Sequence, residues 1–102
     1  MKKIVLFCAG GMSTSLLVNK MKEAAQLQGK EYDINAYGLG TADKEAPDAS
    51  VILLGPQVRY AVKEMQTKFP SIPVAGIEMR TYGMMDGKAV LAQAIKLMGD
   101  DE

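Results

Sequence analysis

Residues 4–17 read Ile4-Val5-Leu6-Phe7-Cys8-Ala9-Gly10-Gly11-Met12-Ser13-Thr14-Ser15-Leu16-Leu17: an apolar run, two adjacent glycines, then the start of a helical pattern. The run Ile4 to Phe7 is apolar at every position and so has no polar face to turn to water. Short aliphatic runs bounded by Gly or Pro suit strands buried on both faces, as in a parallel sheet covered by helices. Two more such runs follow, Val51 to Leu54 and Val74 to Ile77, the latter with Gly76 inside it. A fourth, Tyr32 to Tyr37, alternates: Tyr32, Ile34 and Ala36 are set against Asp33, Asn35 and Tyr37, which suits an edge strand.

Helical periodicity fills the intervals. From Thr14 to Gln28, Leu17, Met21, Ala24 and Gln28 fall on one line, Leu16, Ala25 and Leu27 widen the stripe, and Gly29 stands where a helix usually stops. Val58, Ala61, Val62, Met65 and Phe69 have the spacing of a second helix, ended by Pro70. Gly87, Val90, Leu91, Ala94 and Met98 give a third, followed by a Gly99-Asp100-Asp101-Glu102 tail expected to fray. Gly38 to Pro47 reads as a loop or one short helical turn.

Alternating strands and helices make βαβ units, and right-handed crossovers give an α/β, three-layer, doubly wound domain with four parallel strands. The half-polar second strand goes to one edge and the Pro-flanked fourth to the other, so the expected order is 2-1-3-4, with residues 1–102 as a single domain. Crossovers then leave strands one and three on opposite faces, and ligands of such sheets bind at that switch point, beyond the carboxyl ends of the strands.

The segment that arrives there is Cys8-Ala9-Gly10-Gly11-Met12-Ser13-Thr14-Ser15. Two glycines let backbone N–H groups converge, and the following helix adds its unpaired N–H groups and the positive end of its dipole. Ser13, Thr14 and Ser15 add hydroxyls or cap the helix. The result is an anion cradle, and a thiol at its rim has its thiolate stabilised, which suits attack on phosphorus. The plainer alternative is that Cys8 is a small buried hydrophobe and the Ser-Thr-Ser run a cap.

Composition narrows the chemistry. The 102 residues hold one cysteine and no histidine, which excludes an internal disulfide, the usual zinc sites and any His-based triad. Twelve basic residues balance twelve acidic ones, against the cationic surplus that nucleic acid requires. No run reaches the roughly 18 to 20 apolar residues that span a bilayer, and the apolar start after Lys2-Lys3 is too short for a signal peptide. A cytoplasmic location is the expectation.

Cys8 to Leu17 after Ile4-Val5-Leu6-Phe7 resembles the phosphorylation loop of IIB subunits of the bacterial phosphoenolpyruvate-dependent sugar phosphotransferase system, lactose/cellobiose (chitobiose) type. Val51-Ile52-Leu53-Leu54-Gly55-Pro56-Gln57-Val58 and the stretch Tyr82 to Leu91 match the same family. The resemblance implies a fold similar to low-molecular-weight tyrosine phosphatases, and a phosphocarrier in which Cys8 accepts a phosphoryl group from phosphohistidine on a IIA protein. The group then passes to a sugar such as cellobiose, chitobiose or a related β-glucoside, held by a membrane IIC subunit. Residues Ala9, Gly10, Gly11, Met12, Ser13, Thr14 and Ser15 would bind the phosphate, no cofactor or metal is implied, and the isolated carrier would be a monomer, transiently at the inner face of the membrane. Ala9-Gly10 departs from the family's more usual Ser-Ala, which removes one hydroxyl from the loop.

The rival enzymes are the low-molecular-weight tyrosine phosphatases and arsenate reductases, whose motif places an arginine where this chain has Thr14. A guanidinium there clamps phosphate bidentately, and Thr14 cannot. A non-enzymatic anion-binding module is the other alternative, although Gly10-Gly11 is neither a GxGxxG fingerprint nor followed by a Walker lysine. Gln57, after strand three, and Tyr82, in the expected loop after strand four, are candidates to line the site or a partner surface, and Asp86 is the expected cap of the third helix.

Overall fold

In a computed structural model, residues 1–9 and 12–100 are described, the side chains of Met12 and Ser13 excepted. The chain runs β1 (Lys2–Cys8), α1 (Met12–Leu27), β2 (Tyr32–Gly38), α2 (Ala42–Glu45), β3 (Val51–Leu54), α3 (Val62–Lys68), β4 (Val74–Gly76), α4 (Met79–Gly83) and α5 (Gly87–Met98). The four strands form one parallel sheet in the order β2-β1-β3-β4, as the apolar runs predict.

Period-two alternation divides the core into two layers. Ile4, Leu6, Val51 and Leu53 face α1 and α5, meeting Leu17, Met21, Val90, Leu91 and Ala94. Val5, Phe7, Ile52 and Leu54 face the other side, meeting Val58, Ala61 and Met65. Both faces of β1 and β3 are thus buried, which explains why neither strand has a polar position in its centre. Edge strand β2 is only half covered, and Tyr37 packs obliquely on Phe7, ring centroids 6.3 Å apart.

Four expectations need correction. The second helix does not start as an α-helix: Pro56–Ala61 is a 3-10 helix with Val58 at φ −120°, and α3 proper begins at Val62. The i, i+3 spacing of Val58 and Ala61 suits either helix type, so periodicity alone could not separate them. Tyr82 lies in the short helix α4 rather than in a loop. Leu16 and Leu27 are exposed, because the buried stripe of α1 is centred on Leu17, Val18, Met21, Ala24 and Ala25. Ile77 falls just beyond β4, although its N–H still donates to Leu54 O. Gly38 to Pro47 holds a 3-10 turn, Leu39–Thr41, and the single turn α2.

The amino-terminal rim of the sheet is fastened by polar contacts. Lys3 Nζ pairs with Asp48, Lys3 N donates to Ser50 Oγ, and Asp100 accepts from both Lys2 Nζ and Tyr32 Oη, the latter at 2.6 Å. Burial first, and then the bond to Asp100, push the Tyr32 phenol up to about 12. The Tyr32 hydroxyl and then Lys2 hold the Asp100 carboxyl below the usual carboxylate range. These staples lie at the end of the sheet opposite Cys8.

Candidate functional site

Cys8 is the last residue of β1, at the carboxyl rim, where β1 sits between β2 and β3. On one side it pairs in register with Gly38, and its Sγ lies 3.9 Å from Tyr37 O. On the other, Gly55 N donates to Phe7 O at 2.8 Å, bringing the start of the β3 exit against the base of the thiol. The residue is buried at 6% exposure, so the thiol stands at the floor of the rim rather than on its surface.

Gly55 makes this approach possible. A Cβ built there would lie 3.6 Å from Cys8 Cβ and 3.1 Å from Gln57 Oε1. The exposed Gln57 thus sets its amide oxygen beside Gly55, the residue that also abuts Cys8, so both sequence candidates border the same glycine.

The remaining candidates divide. Ala9 is exposed in a bend after Cys8. Gly10 and Gly11, on which the cradle depends, lie outside the described residues, as do the Met12 and Ser13 side chains. Ser15 is exposed and lines a shallow hollow of about 240 Å³ with Val18, Asn19, Asn35 and Ala36 on the β2 flank. Thr14 instead points inward at 3% exposure, and its Oγ1 is 3.1 Å from Tyr82 Oη. Tyr82 itself is 8% exposed in the α1–α5 core layer, so it lies beneath the opening turn of α1. That contact joins residues 68 positions apart and leaves no local signal in the sequence.

Asp86 caps α5 as expected, accepting from Ala89 N at 3.1 Å. Arg59 lays its stem near Gly76 and lines, with Glu78, Thr81 and Gln93, an open cleft of about 570 Å³ beyond β4 that does not include Cys8. Leu16 on α1, Met79 on α4 and Met84 just after α4 are exposed apolar residues near Thr14 and Tyr82 in the chain. Among the described residues no three acidic or thiol groups gather as metal ligands, and no helix is long and apolar enough to cross a membrane.

Comparison with known proteins gives one consistent answer. Residues 3–93 match the family model described as the lactose/cellobiose-specific IIB subunit of the phosphotransferase system. The oligo-beta-mannoside-specific EIIB component of Bacillus subtilis (strain 168) is 47% identical over 100 residues, covering 96% of this chain and 97% of its own. The galactose-specific EIIB component of Lactococcus lactis subsp. cremoris (strain MG1363) is 45% identical over 104 residues, covering 95% and 96%. The solution structure of the cellobiose-specific IIB component protein of Borrelia burgdorferi superposes with a TM-score of 0.80 at 33% identity, covering 97% of this chain and 93% of that one.

Proposed function

The chain belongs to the lactose/cellobiose-specific IIB family of the sugar phosphotransferase system, phosphocarriers of sugar uptake that work with IIA and IIC partners, and from that premise we propose that Cys8 carries the phosphoryl group. The observation that supports this most is position: the chain's one cysteine ends β1 at the sheet's switch point, just ahead of the opening turn of α1.

The transfer proceeds in two balanced steps. The Cys8 thiolate attacks phosphorus in line; an S–P bond forms, the P–N bond of the donor phosphohistidine breaks, and the leaving imidazole keeps the electron pair and takes up a proton in place of the one the thiol released. A sugar hydroxyl then attacks the same phosphorus; an O–P bond forms, the S–P bond breaks to regenerate the thiolate, and the hydroxyl proton passes to solvent or a base on the acceptor side. The loop N–H groups between Ala9 and Ser15 stabilise the equatorial oxygens, so catalysis is positioning and preorganised donors. Gln57 lines the site in this reading, supported by its amide oxygen lying beside Gly55, which abuts Cys8. Thr14, in place of a phosphatase arginine, leaves the phosphate without a bidentate clamp, which suits a group held only until a partner takes it.

Residues 1–102 act as one domain, monomeric when isolated, in the cytoplasm and transiently at the inner face of the membrane through IIC. Leu16, Met79 and Met84 offer an adaptable apolar rim for a protein that docks on two partners in turn. The sugar in this reading is cellobiose, chitobiose or a related β-glucoside or disaccharide. The relatives' names span oligo-beta-mannoside and galactose at nearly equal identity, which fits a selectivity seated in the membrane subunit.

Incubation with phosphoenolpyruvate, the general phosphotransferase proteins and a cognate IIA should add one phosphate to the intact mass of the wild type and none to Cys8→Ser. Loading of Cys8→Ser, or none of the wild type, sinks the proposal. Steady turnover of an aryl phosphate by the isolated protein, lost with Cys8→Ser, would make it a phosphatase instead.

A further inference from the structure

Apart from the aromatic Tyr82, Thr14 is the one buried residue with a polar side chain among the described residues, and the two hydroxyls are partners, Thr14 Oγ1 lying 3.1 Å from Tyr82 Oη. Burying two hydroxyls is costly unless they bond to each other, and here every buried side-chain polar atom among the described residues has a partner. Stability alone gives no reason for the pair, since replacing both partners by apolar groups of the same shape is close to neutral. Location gives one: Thr14 is in the first turn of α1, six residues after Cys8, and Tyr82 reaches it from the separate helix α4.

We propose that Tyr82 is a positioning residue for phosphoryl transfer, acting through Thr14; the inference rests on the assignment of Cys8 as the carrier. Either hydroxyl can donate in this bond, and in both directions it ties the same two elements together. The opening turn of α1 is thereby held to α4 by a directional bond rather than by packing alone. A small displacement of donors that face a reacting phosphorus costs rate steeply, so the bond acts on transfer more than on folding.

The test compares wild type, Tyr82→Phe, Thr14→Val, Thr14→Ser and the double variant Tyr82→Phe/Thr14→Val in quench-flow loading from phosphorylated IIA, with urea unfolding of each. Tyr82→Phe should lower the limiting loading rate at saturating IIA about tenfold and leave the half-saturating IIA concentration unchanged. Thr14→Val should fall equally and Thr14→Ser should keep most of the rate. The double variant decides between the two roles: its unfolding midpoint should return to near the wild-type value while its loading stays as slow as in the single variants. If Tyr82→Phe loads at the wild-type rate, or the double variant recovers rate along with stability, the pair is structural only and the inference is overturned while Cys8 remains the carrier. If the wild type itself takes up no phosphate, both fall together.

Discussion

Gly87 opens α5 where that helix crosses α1, and a Cβ built on it would lie 2.5 Å from the carbonyl carbon of Lys20, 2.6 Å from Lys20 Cβ and 2.7 Å from Met21 N. Carbon atoms rest at about 3.5–4.0 Å, so Gly87→Ala requires the two helices to part by about 1 Å. Two of the three atoms are backbone inside α1, and no rotamer change relieves the contact. Overpacking of this kind costs about 1–3 kcal/mol. The opposing gain from replacing a helical glycine is at most about 1 kcal/mol, and less at a first position. The net is a loss of about 1–2 kcal/mol, a sizeable fraction of a domain's typical 5–15 kcal/mol and worth a fall in Tm of roughly 5–15 °C. Urea unfolding followed by far-ultraviolet circular dichroism should show it, with Gly83→Ala, whose added Cβ meets nothing within 4 Å, as the control that changes little. Because the helix-propensity term alone has the opposite sign, a Gly87→Ala midpoint at or above that of the wild type would refute the packing argument outright.

Two other perturbations separate the ends of the sheet. Gly55→Ala places a methyl 3.1 Å from Gln57 Oε1 and 3.6 Å from Cys8 Cβ; the amide is free to swing away, so the unfolding free energy should drop by less than about 1 kcal/mol while loading from IIA slows, and Gln57→Ala should slow it similarly. Unchanged loading in both would remove Gln57 from the site. At the opposite rim, the Tyr32 phenol is raised from 10.0 to about 12 in the folded protein. Its contribution is complete below pH 10 and is lost as pH rises towards 12, because the unfolded chain releases that proton first. Tyr32→Phe should therefore flatten the alkaline loss of stability between those limits, and a curve of the same shape as the wild type's would contradict the Tyr32–Asp100 bond.

The sheet was legible because Ile4 to Phe7 and Val51 to Leu54 offer no polar face, a pattern that only burial on both sides satisfies. Strand order followed from the alternation in Tyr32 to Tyr37 and the prolines before Val74. Helix α4 was not legible: five residues, Met79–Gly83, are too few to establish a period. Hydrophobicity alone puts Leu16 and Leu27 in the core, but a stripe about 100° wide on α1 has room only for the Leu17–Met21–Ala24 line and its near neighbours. Cys8 is a candidate because the loop that follows it has its own chemistry, and Gln57 because it follows the neighbouring strand. Tyr82 is marked by its place after strand four and by opening the stretch to Leu91 that resembles the family. Its bond to Thr14 is a product of tertiary folding, with no spacing in the chain that encodes it.

The most direct test of Cys8 as the carrier is a phosphorus–proton correlation spectrum of the protein loaded from phosphoenolpyruvate through IIA. The expected result is a single protein-bound phosphorus coupled to the β-protons of Cys8. Coupling instead to the side chains of Ser13, Thr14 or Ser15, or inorganic phosphate appearing with no protein-bound signal, would contradict it.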